Sequence, residues 1–363
     1  MTPLSLYPDS PTERTHWILA RRGPKNKHDP RRPYGSFIED EPGPDGTLWR
    51  CHTLLLTNRE CAFRCLMCDL WQDTLDTSTE VGAIAAQIKA LIPPSPLSPN
   101  NKPFGWEKGG DRGGRGRLPP NPLPLSGGGA EGRGGGGEIK SALKLYNAGS
   151  FFDPGQVPIE DYAAIADRAR HFDRVIVESH TAFLKGKHAE RVLAFRDAIA
   201  PATLEVAIGL ETVHEAALEK LNKRMTVDDF RRAAAFLAEN QIALRVFLLV
   251  RPPFLTEEEG VEWGCRSLDM AHECGSTFTA LLPTRAGNGA LEALAEQGCY
   301  APLTLQSLET CLRYGQSLEG RMRVTADLWD IEQFVKNDAD RACVARIAEL
   351  NHNRGGSKAH GAG

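Results

Sequence analysis

The residues best suited to chemistry are Cys61, Cys65 and Cys68, in the run Asn58-Arg-Glu-Cys-Ala-Phe-Arg-Cys-Leu-Met-Cys-Asp69. A C-x3-C-x2-C spacing brings three thiolates into one tight loop. Three is the useful number, because a cubane iron–sulfur cluster held by three Cys leaves one iron without a protein ligand and open to a small molecule. Structural zinc usually sits between paired C-x2-4-C or C/H knuckles, and no second knuckle follows here; a zinc on the triplet would need a fourth ligand, His52 being the nearest. Three unrelated core thiols are the remaining reading.

Such a loop needs a rigid support, and the rest of the chain supplies the pattern of one. Apolar or β-branched runs at 52–57, 143–148, 174–178, 204–210, 243–250 and 278–283, with a last one at 322–326, alternate with amphipathic stretches at 80–92, 159–171, 189–200, 227–239, 257–272 and 303–317. This alternation predicts a parallel sheet with crossover helices, here an α/β partial (β/α)6 TIM-like barrel. In such architectures chemistry gathers at the carboxyl ends of the strands. The Cys triplet follows the first predicted strand and so falls on that rim.

One segment breaks the pattern. Residues 93–138 are dominated by Pro, Ser, Asn and Gly and cannot bury enough apolar surface to offset their ordering entropy, which predicts a disordered insertion in a barrel spanning 51–350. Its Gly127-Gly-Gly-Ala-Glu-Gly132 matches G-x-G-x-x-G without the strand and helix that a dinucleotide site requires. Residues 1–50 read as an extension with a basic run, Arg21 to Pro33, and 351–363 as a flexible tail. The run and the Arg-Gly-Gly tripeptides at Arg112, Arg133 and Arg354 are compatible with RNA phosphates, but solubilising disorder is the favoured reading.

The net charge of −4 argues against indiscriminate nucleic-acid binding, and the six Cys outside the triplet are scattered, so the nine form no disulfide framework. No apolar run suggests a membrane span or secretory signal, so a cytoplasmic protein is expected.

Each later strand ends in residues suited to an amino group, a carboxylate or a ribose. Asn147-Ala-Gly149-Ser150 lets the backbone approach a ligand at Gly149. Glu178 and Glu211 could accept from hydroxyls or pair with a cation. Lys223 and Arg224 could bind a carboxylate, Arg bidentately. After the fifth run, Thr256 and Glu259 read as a capping box, and Pro252-Pro253 would present Arg251 towards the rim.

The cysteine spacing resembles the signature of the radical SAM superfamily. The strand-end runs 147–153, 177–180, 204–212, 222–226 and 247–259 resemble its group of the Elongator catalytic subunit, methylthiotransferases and nitrogenase-cofactor proteins. The resemblance implies a [4Fe-4S] cluster on Cys61, Cys65 and Cys68. It also implies S-adenosyl-L-methionine bound near Met67, Asn147, Gly149, Ser150, Glu178, Glu211 and Arg224. Met67 stands where the superfamily often has an aromatic. A reductase, ferredoxin or flavodoxin would donate the electron, and the substrate would be a modified nucleoside in tRNA, with a nucleoside-modifying partner protein. The rival expectation is a non-catalytic metal- or RNA-binding protein that uses the triplet structurally.

Overall fold

The structure, a computed structural model, describes residues 6–43, 45, 47–92 and 139–352; the predicted insertion at 93–138 and nearly all of the predicted tail lie outside them. One sheet of eight strands runs in sequence order: β1 (Gly35–Pro42), β2 (Leu48–Leu55), β3 (Ile139–Tyr146), β4 (Arg174–Glu178), β5 (Thr203–Glu211), β6 (Ala243–Val250), β7 (Phe278–Pro283) and β8 (Arg323–Ala326). Strands β2 to β8 are parallel and β1 is antiparallel to β2. The sheet curls into the partial barrel expected from the alternation.

Among the described residues ten α-helices accompany it: α1 (Pro11–Leu19), α2 (Ala83–Leu91), α3 (Tyr162–Ala169), α4 (Lys187–Ala198), α5 (Glu215–Lys220), α6 (Val227–Glu239), α7 (Glu257–Glu273), α8 (Ala290–Glu296), α9 (Leu305–Ser317) and α10 (Asp338–His352). None of the described helices is long and apolar enough to cross a membrane. The outer sheet face carries Leu143, Leu145, Val175, Val177, Val206, Ile208, Val246 and Leu248 into one apolar core shared with the helices. The period-two alternation then turns the intervening residues into the barrel.

Those inward residues explain why β1 escaped the sequence pattern. Glu39 and Glu41 point where apolar residues would be expected, and Lys144 Nζ lies 2.8 and 2.7 Å from them. Arg245 pairs with Glu41 at 2.6 Å and with Glu205 at 2.5 Å, and Arg174 reaches Glu205 at 2.8 Å. Three cations thus meet three carboxylates at the amino ends of the strands. A buried set of this kind is tolerated because every charge has a partner. It fills the barrel floor and leaves the opposite rim for binding.

Candidate active site

The loop Asn58–Asp69 leaves β2 at the carboxyl rim and is fastened from three sides. Leu66 donates its amide to Leu221 O at 2.9 Å, and Asn222 Nδ2 reaches Arg64 O at 3.2 Å. Asn288 Nδ2 holds Leu66 O at 2.7 Å and Cys68 O at 3.3 Å, while its Oδ1 caps the start of α8. Phe63, inside the first cysteine spacing, stacks on His180 with ring centres 3.7 Å apart. Arg64 takes a positive φ of 55°, turning the chain between Phe63 and Cys65.

His180 fixes more than the stack. Its Nδ1 accepts from Ala182 N at 3.1 Å and its Nε2 lies 2.9 Å from Lys223 O, which assigns the neutral tautomer with the proton on Nε2. Burial, helped by Lys223, pushes its pKa down to about 3. The ring therefore ties the cysteine loop to the segment after α5 without bringing a charge.

Lys223 occupies the centre of the site. Its Nζ lies 2.6 Å from Glu211 Oε1, with both side chains largely buried. Burial disfavours its charge, yet Glu211, Cys65 and Cys61 together hold its pKa above the ordinary lysine value. Glu211 itself takes a φ of 66° at a bulge of β5. Gly209 makes room for the pair: a Cβ there would come 2.6 Å from Lys223 Nζ and closer still to Glu211. Gly209→Ala is therefore expected to displace the pair while leaving the cysteine loop in place. If S-adenosylmethionine binds here, as the resemblance implies, its affinity measured by calorimetry should fall with cluster content retained.

The neighbouring Arg224 reaches α1 and not Glu211. It is exposed, with φ 58°, and bonds Pro11 O and Thr15 Oγ1 at 3.2 and 3.1 Å. Left-handed residues Asn222 and Arg224 flank Lys223, and the two cations take different partners, Lys223 on Glu211 and Arg224 on α1. Arg251 is likewise turned away, onto Glu257 at 2.5 Å and Pro302 O at 2.7 Å; the Thr256–Glu259 capping box forms as expected.

The Asn147–Ser150 turn is stitched to β4. Glu178 accepts the amide of Asn147 at 3.1 Å and those of Ala148 and Gly149, and Ser150 Oγ accepts from His180 N at 2.9 Å. Gln156 Oε1 takes Ser150 N at 2.5 Å, and its side chain fills the space where Gly149 would carry a Cβ. Gly149 is thus demanded by Gln156, a contact the sequence does not announce. Met67 packs beside the Trp17, Ile18, Leu66 and Leu221 cluster.

Burial outweighs the three amides at Glu178 and raises its pKa to about 7. The folded protein therefore binds a proton more tightly than the unfolded chain between the ordinary glutamate value and about 7. Stability should fall as pH rises through that window, by up to ~3 kcal/mol. Melts of Glu178→Gln should show a flatter pH dependence over the same range.

The basic run is ordered where it was expected to be disordered or to face RNA. Arg22 and Lys25 reach Glu60 at 2.5 and 2.8 Å, joined by Arg64 at 3.1 Å, so three cations surround the carboxylate beside Cys61. Asn26 and His28 bond Asp73 at 2.8 and 2.7 Å. The segment is a strap across the outside of the cysteine loop.

All three triplet thiols are free. Burial raises their pKa values, that of Cys65 to about 12; repulsion from the neighbouring thiols adds to the effect at Cys65 and Cys68, while Lys223 opposes it at Cys61 and Cys65. A setting that resists three bare thiolates is one that a cationic centre would relieve. Among the described residues no three His, Cys, Asp or Glu side chains converge to hold a metal ion, the triplet included. A cubane, by contrast, takes each thiolate on a different iron and needs no convergence on one point. At the carboxyl ends of β2 and β3, the buried Thr57 Oγ1, Asn58 Oδ1 and Asn147 Oδ1 have no hydrogen-bond partner. Unused acceptors of this kind fit an ammonium group.

No family model matches the chain. It is 28% identical over 189 residues to archaeosine synthase subunit beta of Methanosarcina acetivorans, covering 51% of this chain and 54% of that protein. The same named subunit of Thermococcus kodakarensis is 28% identical over 190 residues, 51% and 58% of the two chains. The chain spans about half the length of the curated relatives it matches. Among solved structures, the archaeal Elp3 of Methanocaldococcus infernus is similar over 59% of this chain and 55% of its own, at 13% identity and a TM-score of 0.44. The partial barrel, the three-cysteine loop on its rim and the sequence relatives together support the radical SAM superfamily for this chain. Within that class, the relatives it resembles by sequence are the archaeosine synthase beta subunits.

Proposed function

We propose that this protein is a radical SAM enzyme in which Cys61, Cys65 and Cys68 hold a [4Fe-4S] cluster at the mouth of the barrel. The observation that carries the reading is the placement of three free thiols on a clamped rim loop, beside a buried Lys223–Glu211 pair and unpartnered acceptors at neighbouring strand ends. When bound, the cluster and S-adenosylmethionine supply a 5′-deoxyadenosyl radical through one-electron cleavage of the sulfonium, and that radical abstracts hydrogen from a substrate.

The chain's own residues bind and aim. Lys223 is placed to meet the methionine carboxylate, with Glu211 keeping it charged and oriented until then. Thr57, Asn58 and Asn147 offer acceptors for the amino group. Glu178 braces the Asn147–Ser150 turn, and Met67 with Phe63 lines the loop against water. A modified nucleoside is the substrate in keeping with the relatives' name, tRNA as its carrier following from the family resemblance, with an external reductase, ferredoxin or flavodoxin as electron source and a nucleoside-modifying protein as partner. The test is anaerobic reconstitution followed by dithionite and S-adenosylmethionine. 5′-Deoxyadenosine should form slowly alone and faster with substrate; a reconstituted cluster that binds no S-adenosylmethionine and forms no product would overturn the proposal.

A further inference from the structure

The segment before β1 is built into the cysteine loop at several points. Trp17 and Ile18 of α1 share an apolar cluster with Leu66 and Met67, the two residues between the second and third cysteines. Arg21 O lies against Gly289, where any Cβ would strike it, and Gly289 follows the Asn288 that holds Leu66 O and Cys68 O. Arg22 then spans the loop. Its Nη1 lies 2.5 Å from Glu60 Oε1, and its guanidinium carbon lies 4.9 Å from the centre of the Trp71 ring. Glu60 directly precedes Cys61, and Trp71 comes three residues after Cys68, so one side chain joins the two ends of the stretch that carries the three thiols. Lys25 and Asn26 continue along the same edge, Lys25 onto Asp76 at 2.8 Å and the Asn26 amide onto Gln72 O at 2.7 Å.

Three donors at this junction are left over. Arg22 Nε, Arg64 Nη1 and Trp71 Nε1 are buried, and none has a hydrogen-bond partner among the described residues. The Arg22 side chain is 7% exposed and Trp71 4%, so bulk water does not reach them. Glu60 is already shared by Arg22, Lys25 and Arg64. A buried N–H left unpaired costs free energy, and three at one place are a standing demand for an acceptor-rich group. Arg64 sits inside the triplet, between the first and second cysteines. The sulfurs of a cubane carry negative charge and accept hydrogen bonds without donating any, which matches a set made only of donors and bearing two guanidinium charges.

We propose that Arg22, Arg64 and Trp71 donate N–H hydrogen bonds to the sulfurs of the cluster held by Cys61, Cys65 and Cys68, which makes the N-terminal strap part of the cofactor site and a determinant of its reduction potential. This rests on the radical SAM reading and deepens it. Hydrogen bonds to sulfur stabilise the reduced, more negative cluster, so each donor raises the potential. They thereby ease the loading of the electron that the proposed reaction consumes.

The test is a redox titration of anaerobically reconstituted full-length protein, followed by electron paramagnetic resonance. Trp71→Phe keeps an aromatic ring beside the Arg22 guanidinium and deletes only the N–H. Arg22→Lys keeps a cation for Glu60 and deletes Nε–H. Each should lower the potential while iron content and melting temperature stay close to wild type. The double variant should shift the reduction equilibrium by about tenfold, which is ~59 mV for one electron. Should Arg22→Lys prove unstable, Trp71→Phe decides alone, since it alters no charge and no ion pair. A purely structural role would change melting or iron uptake and leave the potential of the remaining cluster in place; that result, or a wild-type potential in both single variants, overturns the proposal. S-adenosylmethionine binding, measured by calorimetry on the same wild-type sample, keeps the two readings apart. Lowered potentials in protein that binds none support the donors and refute the radical SAM enzyme, whereas unshifted potentials in protein that binds it refute the donors alone. A wild-type chain that takes up no cluster refutes both.

Discussion

Changing any one of Cys61, Cys65 and Cys68 to Ala is expected to abolish both iron incorporation and 5′-deoxyadenosine formation. Wild-type protein should take up about four irons per chain, as a cubane requires. Thiolates are the cluster's only strong anchors on the loop, so removing one leaves a second iron exposed to solvent and oxidation. The fold itself should survive. The loop is clamped through Leu66, Arg64 O and Cys68 O, backbone contacts that Cys→Ala leaves untouched. Far-UV circular dichroism and thermal melts of the apoproteins should therefore match wild type, while iron and sulfide analysis and the visible spectrum separate them. A variant that keeps a full cluster would displace its cysteine from the ligand set.

Lys223→Met should eliminate measurable S-adenosylmethionine binding and also destabilise the protein, the second-largest effect expected. The side chains of Lys223 and Glu211 are only 12% and 7% exposed, so deleting the cation strands a carboxylate in a poorly solvated site. Breaking such a pair typically costs about 3–5 kcal/mol. Lys223→Met combined with Glu211→Gln removes both charges and should recover much of the stability without recovering binding. That split distinguishes a ligand-binding pair from a structural one, since a purely structural pair would regain affinity along with stability. By contrast, Arg224→Ala should leave S-adenosylmethionine affinity near wild type, because its guanidinium is spent on Pro11 O and Thr15.

The sequence alone determined what depends on local spacing. The cysteine triplet is a matter of eight positions on one loop, and the parallel strands are legible because their outer faces carry the apolar core at period two. The capping box of α7 also follows from residues three apart. Tertiary structure decided everything that turns on which of two neighbours faces inward. Lys223 and Arg224 are chemically alike in sequence, and only the left-handed backbone at Asn222 and Arg224 sends one to Glu211 and the other to α1. Strand β1 was invisible because its inward residues are Glu39 and Glu41, whose partners Lys144 and Arg245 lie about a hundred and two hundred positions away. The stack of Phe63 on His180, the filling of Gly149's space by Gln156 and the anchoring of the basic strap on Glu60 are of the same kind. Each depends on contacts between chain segments that only the closed curl of the sheet brings together.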